Sequence, residues 1–490
     1  MGDRLTPLDA SFLELEQADE SAHMHIGWAM VFDPLPGGGR PSLEALQNQT
    51  VERLGPLPRF LCRLSSPRVG GFSLPAWEPD PDFDIATHMR HASLPAPGGE
   101  AELLEWLGDF YSHRLDRAHP LRETTLLDGL SDGRWVLATK VHHCLVDGIS
   151  GASVTTTLLD AEQEPAPGSK GLTAALAPPG EGGAAERGTI SKLFGVVGDG
   201  VDAIRHPRRL ASALSRSRAL AEMVVREEVI GAPHTSLNEP IGGTRRLAAV
   251  DVPLADLKRI KRALGGTVND VVLAATAGGL RRLFEHRGEG SSVESVRAMV
   301  PVSVRQASEA LALGNRVSSL FVELPVAEPD PLLHYRKTVA ATEALKSGDQ
   351  AAGTETLIEL AGAAPPLIHS VVARLAFTPR LFNITITNVP GPQTTLYSLG
   401  APLRRIVPLV PIFSGHAVGV AAVSYDGLLT FGLNADRATV PDLDILRDGI
   451  EEALAELQRL AGSEPRLGLG RSTDGGSAAR TATEPVVRPP

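Results

Sequence analysis

Residues 162–190 constrain this chain more than any other stretch. Glu164-Pro165-Ala166-Pro167-Gly168, Pro178-Pro179-Gly180 and Gly182-Gly183-Ala184-Ala185 follow one another there, and such residues bury little surface. A segment of that composition reads as a flexible linker. It divides a chain of 490 residues, too long for one ordinary core, into separate folded parts. Two folded units are expected, at 1–161 and 235–461. A basic helical connector over 191–234 joins them, and a polar, glycine-rich tail at 462–490 is expected to be disordered. The 42% hydrophobic content suffices for both cores.

In the first unit, His25 to Phe32 reads as a strand stopped by Asp33-Pro34. Ser42 caps a helix running to Leu54, residues 55–100 read as irregular backbone with short strands, and a helix spans Glu100 to Arg114. The apolar run Trp135 to Val141 reads as a buried strand. It leads into His142-His143-Cys144-Leu145-Val146-Asp147-Gly148, after which Ile149 to Leu159 could open a helix. In the second unit, strands are read at Leu247 to Val252, Val296 to Val302 and Phe382 to Thr387. Helices are read at Leu254 to Leu264, Val268 to Phe284 and Asp442 to Leu460, with a hairpin over 417–434 turned by Asp426-Gly427. The expected fold class is mixed α/β, of the α+β kind, with no repeat and no strict βαβ rhythm.

Successive strand residues face opposite sides, so His142 and His143 should do different work. Four readings compete. A structural pair beside a turn is the plainest. A metal site is disfavoured, because adjacent histidines chelate one ion poorly and no further His/Cys cluster is nearby. A Cys144 nucleophile needs its thiol near an imidazole, whereas a continuing strand would turn it away and pack it as a small apolar group. The fourth reading makes His143 a general base, with Asp147 ordering the loop and Gly148 allowing close backbone approach.

A net charge of −11, spread along the chain, argues against nucleic acid as a partner. Cys62 and Cys144 are the only cysteines, which points to a reducing, cytoplasmic setting without a disulfide framework. Acids from Asp3 onward leave no apolar signal core, and no run of about 18 apolar residues occurs, so no spanning helix is expected. The stretch 203–220 holds Arg205, Arg208, Arg209, Arg216 and Arg218 and no acid. It is either a solvated helix face or a contact for anionic lipid headgroups, on the inner membrane face or on lipid droplets.

His-His-x-x-x-Asp-Gly resembles the acyltransferase motif shared by chloramphenicol acetyltransferase, carnitine acyltransferases and peptide condensation domains. Further stretches resemble the bacterial wax ester synthase/diacylglycerol acyltransferase branch of that superfamily. They are Pro7 to Phe12, Leu237 to Arg246, Thr267 to Ala274, Pro301 to Arg305, Gly314-Asn315 and Asn388 to Pro392, in that order along nearly the whole chain. The resemblance implies two chloramphenicol acetyltransferase-like lobes with a substrate tunnel between them. It also implies esterification of diacylglycerol, with long-chain alcohols as a further acceptor class, by direct transfer from acyl-coenzyme A, a co-substrate, with no cofactor.

His143 then matches the base, and His142, Asp147 and Gly148 its support within the catalytic motif. Arg245 and Arg305 are candidate partners for Asp147. Asn269 and Asp270 are read two ways, as the start of a helix capped from Thr267 or as groups that bind the acyl donor. Asn388, Pro390 and Gly391 likewise form a rigid strand-to-turn connection or border the substrate site. One position departs: where the family commonly reads Pro-Leu-Trp-Glu, this chain has Pro120-Leu121-Arg122-Glu123. That puts the acceptor side or local packing in question and is the one hint toward a silent lipid-binding paralogue. A condensation-type enzyme fed by a carrier-bound acyl group is a further alternative, disfavoured by the whole-chain match and the absence of a carrier-domain pattern.

Overall fold

A computed structural model of the chain describes residues 5–55, 57–65, 75–146, 158–165, 231–303, 317–346 and 381–463. The expected helix after Gly148, the arginine stretch 203–220, Arg305, Gly314-Asn315 and the tail fall outside these residues. So does the linker beyond residue 165, and so do Asp147 and Gly148 themselves. No described helix is long and apolar enough to cross a membrane.

The N-terminal unit begins with helix α1 (Pro7–Ala18), whose first turn is closed by Thr6, and strand β1 (His25–Phe32), buried along its whole length. Helix α2 (Leu43–Leu54) is capped by the Ser42 hydroxyl, as the sequence indicates. Short strands β2 (Cys62–Leu64) and β3 (Trp77–Pro79) pair in the proline-rich stretch. Helix α3 (Ile85–His88) and strand β4 (Met89–Ser93) precede helix α4 (Glu100–Tyr111). Strands β5 (Arg122–Asp128) and β6 (Trp135–His142) follow, and β6 stops at the first of the two histidines.

In the C-terminal unit, strand β7 (Arg245–Pro253) leads into helices α5 (Leu254–Leu264) and α6 (Val268–His286). Strands β8 (Val296–Ser303) and β9 (Val317–Leu324), helix α7 (Pro331–Lys346) and strand β10 (Ile384–Pro390) come next. Strands β11 (Tyr397–Ser398), β12 (Ala401–Leu409), β13 (Val418–Tyr425) and β14 (Leu428–Asp436) precede helix α8 (Leu443–Ser463). The hairpin of β13 and β14 turns at Asp426-Gly427, both with positive φ.

Two mixed sheets result, ordered β11-β12-β1-β6-β5-β4 and β7-β14-β13-β10-β8-β9. Sheet membership corrects the domain boundaries expected from the sequence. Strands β11 and β12 belong by position to 235–461, yet β12 pairs antiparallel with β1 and completes the N-terminal sheet. The reason is physical: without β12, the fully buried β1 would present an open edge of unpaired amides. Asp160 closes the same corner, exchanging backbone hydrogen bonds with Tyr397 and pairing through its carboxylate with Arg53.

The crossover brings the units into close contact. A Cβ on Gly432 of β14 would lie 1.8 Å from the Pro408 carbonyl oxygen of β12, so only glycine lets these strands cross there. Gly108 of α4 similarly admits the Arg245 carbonyl of β7, 2.8 Å from where its Cβ would stand. Within the C-terminal unit, α6 is buried almost all round and lies against α8. Gly279 gives way to Leu446 and Ile450 at that crossing.

Candidate active site

Strand β6 delivers the two histidines, and its pairing with β1 fixes where they stand. The register sets His25 opposite His142, with rings 6.0 Å apart. Beyond that rung the chain turns: the His143 amide donates to the Met24 carbonyl at 2.7 Å, and the Leu145 amide to the His142 carbonyl at 2.9 Å. His142 is 1% exposed, whereas His143 is only half-buried. The face of the His143 ring stacks on Phe12 of α1, with centroids 4.2 Å apart and planes 26° from parallel.

The His142 imidazole closes this turn. Its Nδ1 accepts the Cys144 amide at 3.1 Å. A backbone amide only donates, so Nδ1 carries no proton and the neutral ring is protonated at Nε2. That edge faces the Glu16 carboxylate at 3.5 Å, too long for a tight hydrogen bond. Glu16 also stands 3.5 Å from His25 Nε2, and it accepts from Arg117 at 2.6 Å.

Burial alone would raise the Glu16 pKa. The neighbouring His142, His25 and Arg117 outweigh burial and hold the carboxyl well below its ordinary range. His25 goes the other way: burial pushes it far below the usual imidazole value despite Glu16, so it is neutral near pH 7. His23, the next ring, falls to about 4 through burial and the nearby Arg245. On the same sheet face, Lys140 is 1% exposed and donates to the Phe110 and His113 carbonyls at the end of α4, each at 2.9 Å.

Cys144 is fully buried among apolar side chains, and burial pushes its thiol well above the usual value, which disfavours a thiolate. Among the described residues, no group of three or more His, Cys, Asp or Glu is arranged to hold a metal ion.

The other candidates sit elsewhere. Asp270 is 1% exposed, and its carboxylate is fully engaged. One oxygen accepts from the Thr267 amide and hydroxyl at 2.7 and 2.8 Å, the other from Thr342 of α7 at 2.7 Å. The capping reading accounts for the two bonds with Thr267, and the third ties α6 to α7; Asn269 beside it is half-buried. Asn388 and Pro390 correct the expected strand end. Strand β10 runs on through both, paired in parallel with β13 as far as Pro390 opposite Ser424. The turn comes at Gly391, where a Cβ would stand 2.4 Å from the Ser424 carbonyl oxygen.

Among the described residues, Arg245 is held by the backbone around it. It donates to the carbonyls of Gly242, at 2.7 Å, and Ser21, and so ties β7 to the segment that leads into β1.

Sequence reasoning passed over Glu16, His25, Arg117 and the role of Phe12. One signal was available: Phe12 and Glu16 are four apart on a helix and therefore share a face. One covers His143 and the other backs His142. His25 and Arg117 come to the site only through tertiary pairing, which no local pattern shows.

Two joined mixed sheets with a histidine-bearing strand end define the acyltransferase fold shared with condensation domains. One such domain, from the calcium-dependent antibiotic synthetase, aligns over 94% of this chain and 97% of its own with a TM-score of 0.59. At 19% identity that likeness speaks to fold alone.

The chain belongs to the wax ester synthase/diacylglycerol acyltransferase family. The family's catalytic domain matches residues 5–272, and its C-terminal domain residues 313–458. A Mycobacterium tuberculosis protein named "probable diacylglycerol O-acyltransferase" is 34% identical over 92% of this chain and 95% of its own. The solved wax ester synthase/diacylglycerol acyltransferase of Marinobacter aquaeolei VT8 is 28% identical, with a TM-score of 0.68 over 94% of this chain and all of its own. The protein is thus an acyltransferase, acting on an acyl donor and an acyl acceptor.

The Glu16 carboxylate yields a pH-dependent prediction. Its folded pKa lies below the ordinary 4.5, so its ionisation stabilises the fold above about pH 4.5. That contribution is lost as the pH falls toward the folded value. In urea unfolding, Glu16→Gln should cost about 1–3 kcal/mol at pH 7. The gap to wild type should begin to narrow below about pH 4.5. A gap that stays constant down to pH 3 contradicts the assignment.

Proposed function

We propose that the protein transfers a long acyl chain from acyl-coenzyme A to the free hydroxyl of diacylglycerol, giving triacylglycerol, and acts on long-chain alcohols as a second acceptor class. The observation that carries this reading is the division of labour between the histidines in a chain of this family. His142 is committed at Nδ1 to the Cys144 amide and turns Nε2 toward Glu16, while His143 stands half-buried at the strand end with one face on Phe12.

His143 is the general base. Its imidazole takes the acceptor hydroxyl's proton as the oxygen attacks the thioester carbon, and the tetrahedral intermediate expels the coenzyme A thiolate. The imidazolium then returns the proton to that thiolate, so the enzyme ends as it began and no covalent acyl-enzyme forms. Imidazole is the side chain that changes charge between pH 5 and 8, the range in which a base must work here. Phe12 restricts the ring to one plane, and the turn held by His142 restricts its position, which favours a productive geometry. Asp147 and Gly148 complete the motif as support for the loop. The acyl donor is a co-substrate, and the chemistry calls for no cofactor.

In an assay with labelled palmitoyl-coenzyme A and either diacylglycerol or hexadecanol, His143→Ala should lower turnover by roughly 10²–10⁴-fold. Normal turnover in that variant would refute the base assignment. Lipid binding without ester formation by the wild type would instead favour a silent paralogue. A requirement for a carrier-bound donor would favour condensation-type chemistry.

Both substrates are oily, and the arginines of 203–220 supply a means to reach them at a membrane or droplet surface. Changing Arg205, Arg208 and Arg209 to Gln should reduce co-sedimentation with vesicles containing anionic lipid. Unchanged binding would reject this part of the proposal.

A further inference from the structure

Arg122, the residue that replaces the family's tryptophan, sits on β5 opposite Val141 of β6. By strand alternation it faces the same side as Thr124, whose hydroxyl lies 3.1 Å from that of Thr139. On that side, between the sheet and α2, a chamber of about 40 Å³ is lined by Arg122, both threonines and apolar side chains including Trp28, Leu46 and Leu54. Arg122 is only 6% exposed. Its Nε donates to the Phe60 carbonyl at 3.2 Å, and its guanidinium carbon lies 5.6 Å from the Phe83 ring centre.

Among the described residues the guanidinium forms no ion pair, and its buried Nη2 has no hydrogen-bond partner. Burial lowers its pKa to about 10, which leaves it a cation at neutral pH. A buried, unpaired charge is among the costliest features a fold can hold. A neutral tryptophan at this position would carry no such cost.

We propose that the chamber at Arg122 is a binding site for an aliphatic carboxylate. The carboxylate would accept from Nη2 and neutralise the guanidinium, and its first methylenes would lie on the apolar walls. The Thr124–Thr139 hydroxyl pair offers a further donor. The space holds roughly three waters' worth of atoms, which suits a carboxylate with a few carbons and no larger head. The chamber's lining includes Val141, two residues before the proposed base His143. The carboxylate is either a free short-chain acid or the far end of an acceptor whose hydroxyl reaches His143.

Calorimetry on the full chain with butyrate and with butanol tests the site without relying on turnover. Butyrate should bind at least roughly tenfold more tightly than butanol. Arg122→Trp and Arg122→Met should abolish that preference, and Arg122→Lys, which keeps the cation, should retain part of it. Thermal unfolding establishes that each variant folds. Equal binding of the two probes, no binding of butyrate, or an undiminished preference in Arg122→Met would overturn the proposal.

A turnover arm separates the two sources and rests on the acyl transfer proposed above. Esterification of a terminally hydroxylated hexanoate in preference to hexanol, lost in Arg122→Trp, marks the carboxylate as part of an acceptor. Competition by butyrate without such a preference marks a free acid.

Discussion

The site depends on a single rung, His25 opposite His142, at the end of the β1–β6 pairing. Strand pairing alone would leave two imidazoles at a frayed strand end. The carboxylate of Glu16, brought in by α1, stands against the rung. It faces both Nε2 edges at 3.5 Å and takes its charge compensation from Arg117. A buried carboxylate without that arginine would protonate or leave, and His142 would lose the group that keeps its proton on Nε2. With Glu16 in place, Nδ1 is left to accept the Cys144 amide, and the turn that presents His143 follows from that bond.

The wider fold holds this rung in place. Strand β1 is buried on both faces and flanked on both edges, by β6 and by β12 arriving from the C-terminal part of the chain. The second unit therefore supplies one wall of the strand that positions His25. Arg245 adds a second tie, from β7 to the Ser21 carbonyl just ahead of β1. Close crossings at Gly432 and Gly108 let these layers approach without a gap. The histidine turn is thus a property of both units, although its motif lies wholly in the first.

Much of this was legible in the residues. The extent of β1, the Ser42 cap, the end of β6 at the histidines and the Asp426-Gly427 hairpin all follow local rules of capping, alternation and turn chemistry. So did the burial of Cys144. The departure of β11 and β12 to the other sheet was not legible, because strand partners far apart in sequence leave no local mark. Glu16 and Arg117 were missed for the same reason. Each reads as an ordinary surface charge until α1 and the loop before β5 are packed together. Arg122 stood out as a departure, but only the structure shows it buried and without an ion pair among the described residues.

The central claim is that His142 is a fixed neutral strut and His143 the working imidazole. Nitrogen-15 NMR of the histidine side chains tests it most directly. His142 should show an unprotonated Nδ1 and a protonated Nε2 at neutral pH, with a slowly exchanging Cys144 amide. A His142 ring protonated at Nδ1, or a Cys144 amide exchanging as freely as an exposed one, would contradict it.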